Sequence, residues 1–277
     1  MTNAIGLSTA AFYPTHLTED ALTAIAELGF CVAEVFLQTG QEYTTTFGIE
    51  LDRRRRSLGL HVHSLHLHTS YFDLWAPYPR MAQEARDRFL RTLEIATRLQ
   101  ARALTWHGLR HGVGTPHLVD AFFESAIWAG EQAQDAGVVL CLENVSWCYL
   151  RTPEQVAVIR QAGLPVHFTF DAFQAGESAT DPVALIHAMD GRLATVHLSD
   201  YTPGAARHSP PGTGTLDWPL ILRALQDVNY GGPLIIELAH IKDHTTFLHV
   251  RDFIQQVLTE VLRGQLDCVS SPAIITT

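Results

Sequence analysis

Short apolar runs alternate with longer amphipathic runs from one end of this chain to the other. A period of two residues in the short runs indicates β-strands, and a period near 3.6 in the long runs indicates α-helices. The predicted strands span 4–11, 31–37, 60–68, 103–107, 138–145, 166–170, 193–199 and 233–238. The predicted helices span 18–28, 49–58, 80–100, 118–136, 152–162, 181–189, 217–228 and 243–262. Eight consecutive βα units favour a single closed (β/α)8 barrel, an α/β fold, over an open doubly wound sheet.

Local signals support several of these boundaries. Thr152, Pro153 and Gln155 supply a helix cap, a proline in the first turn and a capping-box glutamine. Glycines follow four predicted helices just before the next strand, at Gly29, Gly59, Gly137 and Gly163. Because no linker-like change in composition interrupts the chain, we predict one catalytic domain over 1–264 and a loose C-terminal tail over 265–277.

Composition narrows the function classes. With 47% hydrophobic and 17% charged residues among 277, the chain can bury a large core. A net charge of −10 opposes non-specific attraction to nucleic acid. The four cysteines show no CxxC spacing, the start lacks a signal-like segment, and no run of about 18 apolar residues occurs. We therefore expect a cytoplasmic protein that makes no membrane contact.

Histidines and carboxylates stand at or just beyond the carboxyl ends of six predicted strands. They are His68, His107, Glu143, Asp171, His197 and Glu237. In a barrel these ends meet at one mouth, where chemistry is carried out. Taken singly, each residue is more typical of a surface loop or a helix cap. Together they would be costly to bury without a counter-charge, and one divalent cation would supply it.

Other polar residues on strands are less decisive. We interpret His61, His63 and His66, on the third strand, as pairing and packing residues. Glu34, on the second strand, either faces the barrel interior or caps a neighbouring element.

The motifs LCLENVS, FTFDAFQAG, TVHLSD, RHSPPGTGTLDW and LIIEL, with HTSYFDL and TWHG, occur in this order along the chain. In order and spacing they resemble the xylose-isomerase-like TIM barrels, which include sugar isomerases and epimerases, inosose dehydratases and the endonuclease IV class. The resemblance implies a divalent ion held by Glu143, Asp171, His197 and Glu237. An oxygen-rich set with one imidazole favours Mn²⁺, Mg²⁺ or Co²⁺ and is also compatible with Zn²⁺ or Fe²⁺.

The resemblance further implies a reaction. An isomerase or epimerase of this family acts on a sugar, sugar acid or sugar phosphate by abstracting a proton next to a carbonyl, through a metal-stabilised enediolate. Glu143 and Glu237 would be the acid/base pair, and His107, Gln174 and Arg207 would contact the substrate. The same site can carry out a dehydration. Relatives are often homo-oligomers, so a homo-oligomer is compatible with the resemblance.

The endonuclease IV branch is the alternative, a phosphodiesterase with a trinuclear zinc cluster. His68, His107 and His208 match positions of that cluster, whereas Gln174 and Ala206 stand where two further ligands belong. The three histidines are thus either ligands of a second metal or hydrogen-bond partners of the first ligands. A catalytically silent barrel that binds a polyol or a partner is a third hypothesis.

Overall fold

The computed structural model describes residues 3–110 and 116–270, with the backbone alone for residue 116 and residues 264–270. Its strands form one closed parallel barrel in chain order. They are β1 (Ile5–Ser8), β2 (Val32–Phe36), β3 (His61–His66), β4 (Ala103–Trp106), β5 (Val139–Glu143), β6 (His167–Asp171), β7 (Leu193–Leu198) and β8 (Leu234–Ile236). β1 pairs with β8, so the barrel has no edge strand. The prediction of a single (β/α)8 barrel is confirmed.

Helices surround the barrel and follow the strands. They are α1 (Thr18–Glu27), α2 (Thr45–Leu58), α3 (Pro79–Leu99), α4 (Pro116–Asp135), α5 (Pro153–Gln161), α6 (Ala172–Glu177), α7 (Pro182–Ala188), α8 (Trp218–Asp227) and α9 (Thr245–Ser270). Each predicted helix is observed near its expected position, and the short α6 was not predicted. α9 continues through residues 265–270, while 271–277 lie outside the described residues, so the predicted tail boundary stays a prediction.

Side chains at helix ends explain where several helices begin and end. α2 begins four residues before the predicted start, because the Thr44 hydroxyl accepts a hydrogen bond from the Phe47 amide at 3.2 Å. The same helix ends at Gly59, whose φ of 68° is in the left-handed region that favours glycine. At α5, the Gln155 side chain accepts from the Thr152 amide at 3.0 Å, as the capping box predicts.

The barrel interior is packed with side chains. The Thr105 and Thr169 hydroxyls meet at 3.0 Å across it, and the Cys141 thiol beside them is fully buried. This filled middle layer closes the barrel, so polar residues at the carboxyl ends of the strands form a cup open to one side. Within 3–110 and 116–270, no helix combines the length and the apolarity that a membrane crossing requires.

Candidate metal centre

Four of the predicted ligands converge at the carboxyl ends of neighbouring strands. Glu143 and Asp171 are the last residues of β5 and β6, and Asp171 pairs in register with His197 of β7. Glu237 follows β8, and its amide donates to the Leu198 carbonyl at 3.2 Å. One potential ligand atom from each of the four lies within 4.8 Å of the others, and all four residues are buried. These residues are therefore close enough to hold a single ion.

The His197 imidazole lies at the centre of this group. Its Nδ1 is 3.1 Å from Glu143 Oε1, 3.0 Å from Glu237 Oε2 and 3.8 Å from Asp171 Oδ2. Burial alone would lower the pKa of His197, but the surrounding carboxylates raise it well above its usual value. The carboxylates thus favour positive charge at the centre of the cluster.

Asp171 carries the clearest sign that the group fits a cation. Its Oδ1 accepts a hydrogen bond from the Gln174 amide at 2.6 Å, whereas its buried Oδ2 has no hydrogen-bond partner among the described residues. Burial, with the charges of Glu143 and Glu237, raises the pKa of Asp171 well above its usual value. An unpartnered buried carboxylate oxygen is costly unless a ligand satisfies it. A divalent ion would supply both the partner and the neutralising charge.

Glu143 connects this group to two further histidines. His66 Nε2 and His107 Nε2 lie 3.1 Å and 2.9 Å from Glu143 Oε2. Although burial raises the pKa of Glu143, the charges and hydrogen bonds of His107 and His197 hold it well below its usual value. His66, His107 and Glu143 also have potential ligand atoms within 4.8 Å of one another. This second group of three would suit another ion or hold Glu143 in place.

The positions of two histidines on and after β3 differ from the sequence interpretation. His66, which we interpreted as a packing residue, lies against Glu143, with its ring stacked on Phe36 at 4.2 Å between centroids. His68, which we predicted beside His107, lies outside both groups, and its Nδ1 accepts a hydrogen bond from the Ser70 amide at 3.3 Å. Of these two histidines, His66 is therefore the one next to the candidate ligands.

Glu34 is a buried carboxylate behind His197, and the sequence left its direction open. It lies on β2 with no exposed surface, and its Oε2 is 3.0 Å from His197 Nε2. The Ser8 and Ser64 hydroxyls donate to it at 3.2 Å and 2.7 Å. Burial would raise the pKa of Glu34, but His197 and His66, with these hydrogen bonds, bring it down to about 2. A lone glutamate inside the apolar run VAEVF was the available sequence signal.

The predicted substrate contacts lie at the rim of the cup, where several already have protein partners. Arg207 donates to Glu177 at 2.8 Å and lies over the Phe173 ring at 5.1 Å. The Gln174 side chain accepts from the Ser146 amide at 3.0 Å, and the Ser146 hydroxyl donates to Glu177. These contacts order the rim before any substrate arrives.

The remaining predicted histidines also have partners at the rim. His208 stacks on Phe173 at 4.2 Å, and its Nδ1 is 2.9 Å from the Ser199 hydroxyl. Burial lowers the pKa of His208. His107 Nδ1 is 2.7 Å from the Thr69 hydroxyl, and its ring lies edge to face with Trp147 at 5.2 Å. Both rings are thus held in fixed orientations.

Comparison with known proteins finds a curated sequence relative that matches part of the chain. A curated protein of Escherichia coli strain K12, with the provisional name L-ribulose-5-phosphate 3-epimerase SgbU, is 25% identical over 169 residues. The match covers 56% of this chain and 58% of that protein. The chain therefore matches less than two thirds of this relative's length.

Solved structures share the whole fold at lower identity. A D-tagatose 3-epimerase-like protein matches with a TM-score of 0.80 and 19% identity, covering 94% of this chain and 99% of that one. An L-ribulose 3-epimerase matches with a TM-score of 0.79 and 21% identity, covering 98% and 99%. The E. coli 3-keto-D-glucoside 4-epimerase matches with a TM-score of 0.72 and 18% identity, covering 93% and 100%. These identities establish the shared fold alone.

A family model described as the xylose isomerase-like TIM barrel matches residues 22–257. The match includes seven of the eight strands and both groups of candidate ligands. This chain belongs to the xylose isomerase-like TIM barrel family.

Proposed function

We propose that this protein is a divalent-metal-dependent epimerase or isomerase that acts on a sugar, sugar acid or sugar phosphate. The observation that carries the proposal is the buried convergence of Glu143, Asp171, His197 and Glu237, with one Asp171 oxygen unpartnered. The oxygen-rich donor set suits Mn²⁺, Mg²⁺ or Co²⁺. The names of the sequence relative and of the structural neighbours, which are sugar epimerases, support the same class of substrate.

In this proposal the four residues hold the ion, and Glu143 and Glu237 also exchange protons with the substrate. When bound, the ion would polarise the substrate carbonyl and stabilise negative charge on its oxygen. Both glutamates contact His197 Nδ1, Glu143 through Oε1 and Glu237 through Oε2. The two carboxylates thus reach the same atom from β5 and from the segment after β8, and the proposal places the reacting substrate carbon next to both of them.

The protonation state of Glu143 suits this role. Glu143 is ionised at neutral pH because its pKa is held well below its usual value, so it can accept a proton from the carbon next to the carbonyl. Glu237, protonated from solvent, would donate its own proton to the opposite face of the same carbon in an epimerase, or to the neighbouring carbon in an isomerase. Proton exchange with water would then restore both glutamates. A hydroxyl on the adjacent carbon could instead leave, which is the dehydratase outcome.

The His66, His107 and Glu143 group keeps the phosphodiesterase alternative open, since it would suit a second ion. A third ion of the endonuclease type has weaker support, because the Gln174 side-chain oxygen accepts a hydrogen bond from the Ser146 amide and residue 206 is an alanine. Metal analysis of purified protein would distinguish one or two ions from a stoichiometric cluster of three zincs. Nicking of abasic-site DNA tests the phosphodiesterase reaction directly.

The direct test of the proposal is carbon deprotonation in D₂O. Protein loaded with Mn²⁺ is incubated with a panel of ketoses, aldoses, inososes and ketose phosphates, and deuterium incorporation is read by mass spectrometry after the metal is removed. We expect exchange next to the carbonyl of at least one sugar, with a loss of about 10²–10⁴-fold in Glu143→Gln and Glu237→Gln. The matched control is Glu42→Gln, a half-buried carboxylate outside the cup.

Metal content is measured for each variant, so that loss of the ion is separated from loss of the proton acceptor. Absence of exchange with every sugar in a metal-loaded protein would contradict the proposal. Full exchange in metal-loaded Glu143→Gln would contradict the role of Glu143.

A further inference from the structure

A second cavity opens at the opposite, amino-terminal mouth of the barrel. Its volume is about 390 Å³, and the first residues of three strands, Val139, His167 and Leu193, lie along its wall. His63 and Arg102 also line it. A volume of this size is at the lower end of the range for small-molecule sites, about 300–1,000 Å³.

This cavity is separate from the candidate metal centre. On β6, His167 faces the cavity and Asp171 faces the metal centre, four residues further on. At about 3.3 Å per residue the two positions lie about 13 Å apart along the strand. The Thr105–Thr169 hydrogen bond of 3.0 Å lies between these two levels. A ligand in this cavity would therefore not reach the metal centre.

The side chains around the cavity are basic or neutral. Among the residues that the structure describes, its lining includes Arg102, two histidines and Asn229 and contains no aspartate or glutamate. Within the described part of the chain, Arg102 has no carboxylate oxygen within 4.0 Å. Arg102 and the two imidazoles line the same cavity. The cavity thus offers a positive charge that no carboxylate of the described residues approaches within 4.0 Å.

The histidines complement this charge. Burial lowers the pKa of His63 to about 4, and Arg102 contributes to the lowering, so the ring is neutral at pH 7. His63 Nε2 lies 3.2 Å from the Ala194 carbonyl oxygen, to which it donates. In the neutral ring, Nδ1 is then an acceptor for a hydroxyl of a ligand. Burial also lowers the pKa of His167, and the charges of Arg192 and Arg102 contribute to the lowering.

We propose that this cavity binds a small phosphate-bearing molecule, with the Arg102 guanidinium as the main contact for the phosphoryl oxygens. A guanidinium presents parallel N–H donors that match a phosphoryl group, and phosphate in its protonated form or a sugar phosphate carries hydroxyls for His63 Nδ1. Inorganic phosphate and a phosphorylated sugar share this chemistry. The cavity is larger than inorganic phosphate requires, which favours the sugar phosphate, since inorganic phosphate alone would leave much of the cavity to water.

The test is isothermal titration calorimetry with inorganic phosphate and, separately, glucose 6-phosphate as probes, in chloride buffer of matched ionic strength. We expect binding of at least one probe to the wild-type protein, with glucose 6-phosphate the tighter. Arg102→Gln should weaken binding about 10- to 100-fold, the usual effect of losing charged hydrogen bonds. Arg102→Lys keeps the positive charge but lacks the parallel N–H donors of the guanidinium, so this variant should bind the probes with intermediate affinity.

Arg223→Gln is the matched control, because Arg223 is an exposed arginine on α8 that does not line the cavity. It should leave the affinity for both probes unchanged. Arg102 is exposed, and its variants are compared with wild type by circular dichroism and urea unfolding in chloride to establish that they fold. The proposal is overturned if neither probe binds, if Arg102→Gln binds as tightly as wild type, or if Arg223→Gln weakens binding as much as Arg102→Gln does.

Discussion

Glu34→Gln provides the sharpest test of how the candidate metal centre is held together. The Glu34 carboxylate lies 3.0 Å from His197 Nε2, so it fixes the ring with Nδ1 directed at the other ligands. Glutamine has the same shape. Its oxygen can still accept from His197 and Ser64, while its amide nitrogen can donate to the Ser8 hydroxyl, 3.2 Å from Oε1 in the present arrangement. The substitution therefore removes charge and leaves the packing in place.

The size of the effect follows from this contact. A hydrogen bond to a charged group contributes about 1.5–3 kcal/mol, which corresponds to a factor of about 10–150 in an equilibrium constant. The carboxylate also makes the imidazole a stronger donor to a metal, and loss of such a partner lowers metal affinity about 10–100-fold. We expect Glu34→Gln to weaken Mn²⁺ and Co²⁺ binding by about 10–100-fold.

The assay is competition between the metal-free protein and a chelator, with the visible spectrum of bound Co²⁺ as a second measurement. Glu42→Gln is the control, because Glu42 is also on the β2 side of the barrel but accepts from the Thr18 hydroxyl and the Gln38 amide. It should bind Co²⁺ as wild type does. A folded Glu34→Gln with unchanged affinity and an unchanged Co²⁺ spectrum would refute the reasoning.

Three further predictions concern stability. Asp200→Asn should lower the free energy of unfolding in urea by about 2–4 kcal/mol, since the carboxylate accepts four hydrogen bonds from 201–218; a loss below 1 kcal/mol would contradict this. Gly130→Ala should cost about 1–3 kcal/mol, because its Cβ would lie 2.3 Å from the Pro165 oxygen; an unchanged melting temperature would count against it. The folded pKa of His63, about 4, lies below its unfolded value, so stability should fall by up to about 3 kcal/mol between pH 6.5 and 4. A His63→Asn variant should lack this part of the pH dependence, and equal slopes in the two proteins would contradict the assignment.

Much of the fold could be predicted from the sequence because each βα unit carries its own periodicity and helix-end signals. The strands are shorter than predicted where a local side-chain bond redirects the backbone. The first strand was expected to reach residue 11, but Ser8 accepts a hydrogen bond from the Ala10 amide and Thr9–Phe12 form a 3-10 helix. Alternation of apolar residues contains no information about such a turn.

The candidate ligands were predictable for a related reason. Glu143, Asp171 and His197 lie at strand ends, where the chain itself determines their level in the barrel. The contacts at the rim of the cup could not be predicted from the sequence in this way. Glu177 meets Ser146 and Arg207 from two other loops, and these contacts depend on how the loops fold over one another. No local pattern in the sequence records them.

The sequence of β3 does contain a signal for the bulge that sets the directions of its histidines. In the run LHVHSLHLH, the apolar residues occupy positions 60 and 62 and then 65 and 67, so their phase shifts by one residue. The structure has a bulge there, because Ala33 and Glu34 are adjacent on β2 but pair with Val62 and Ser64. His63 is the extra residue, which sends it to the amino-terminal cavity, while Ser64 and His66 face Glu34 and Glu143. The shifted phase places His66 and His68 on the same face as Ser64, and β3 ends at His66, so His66 is the last residue of the strand on the side of Glu143.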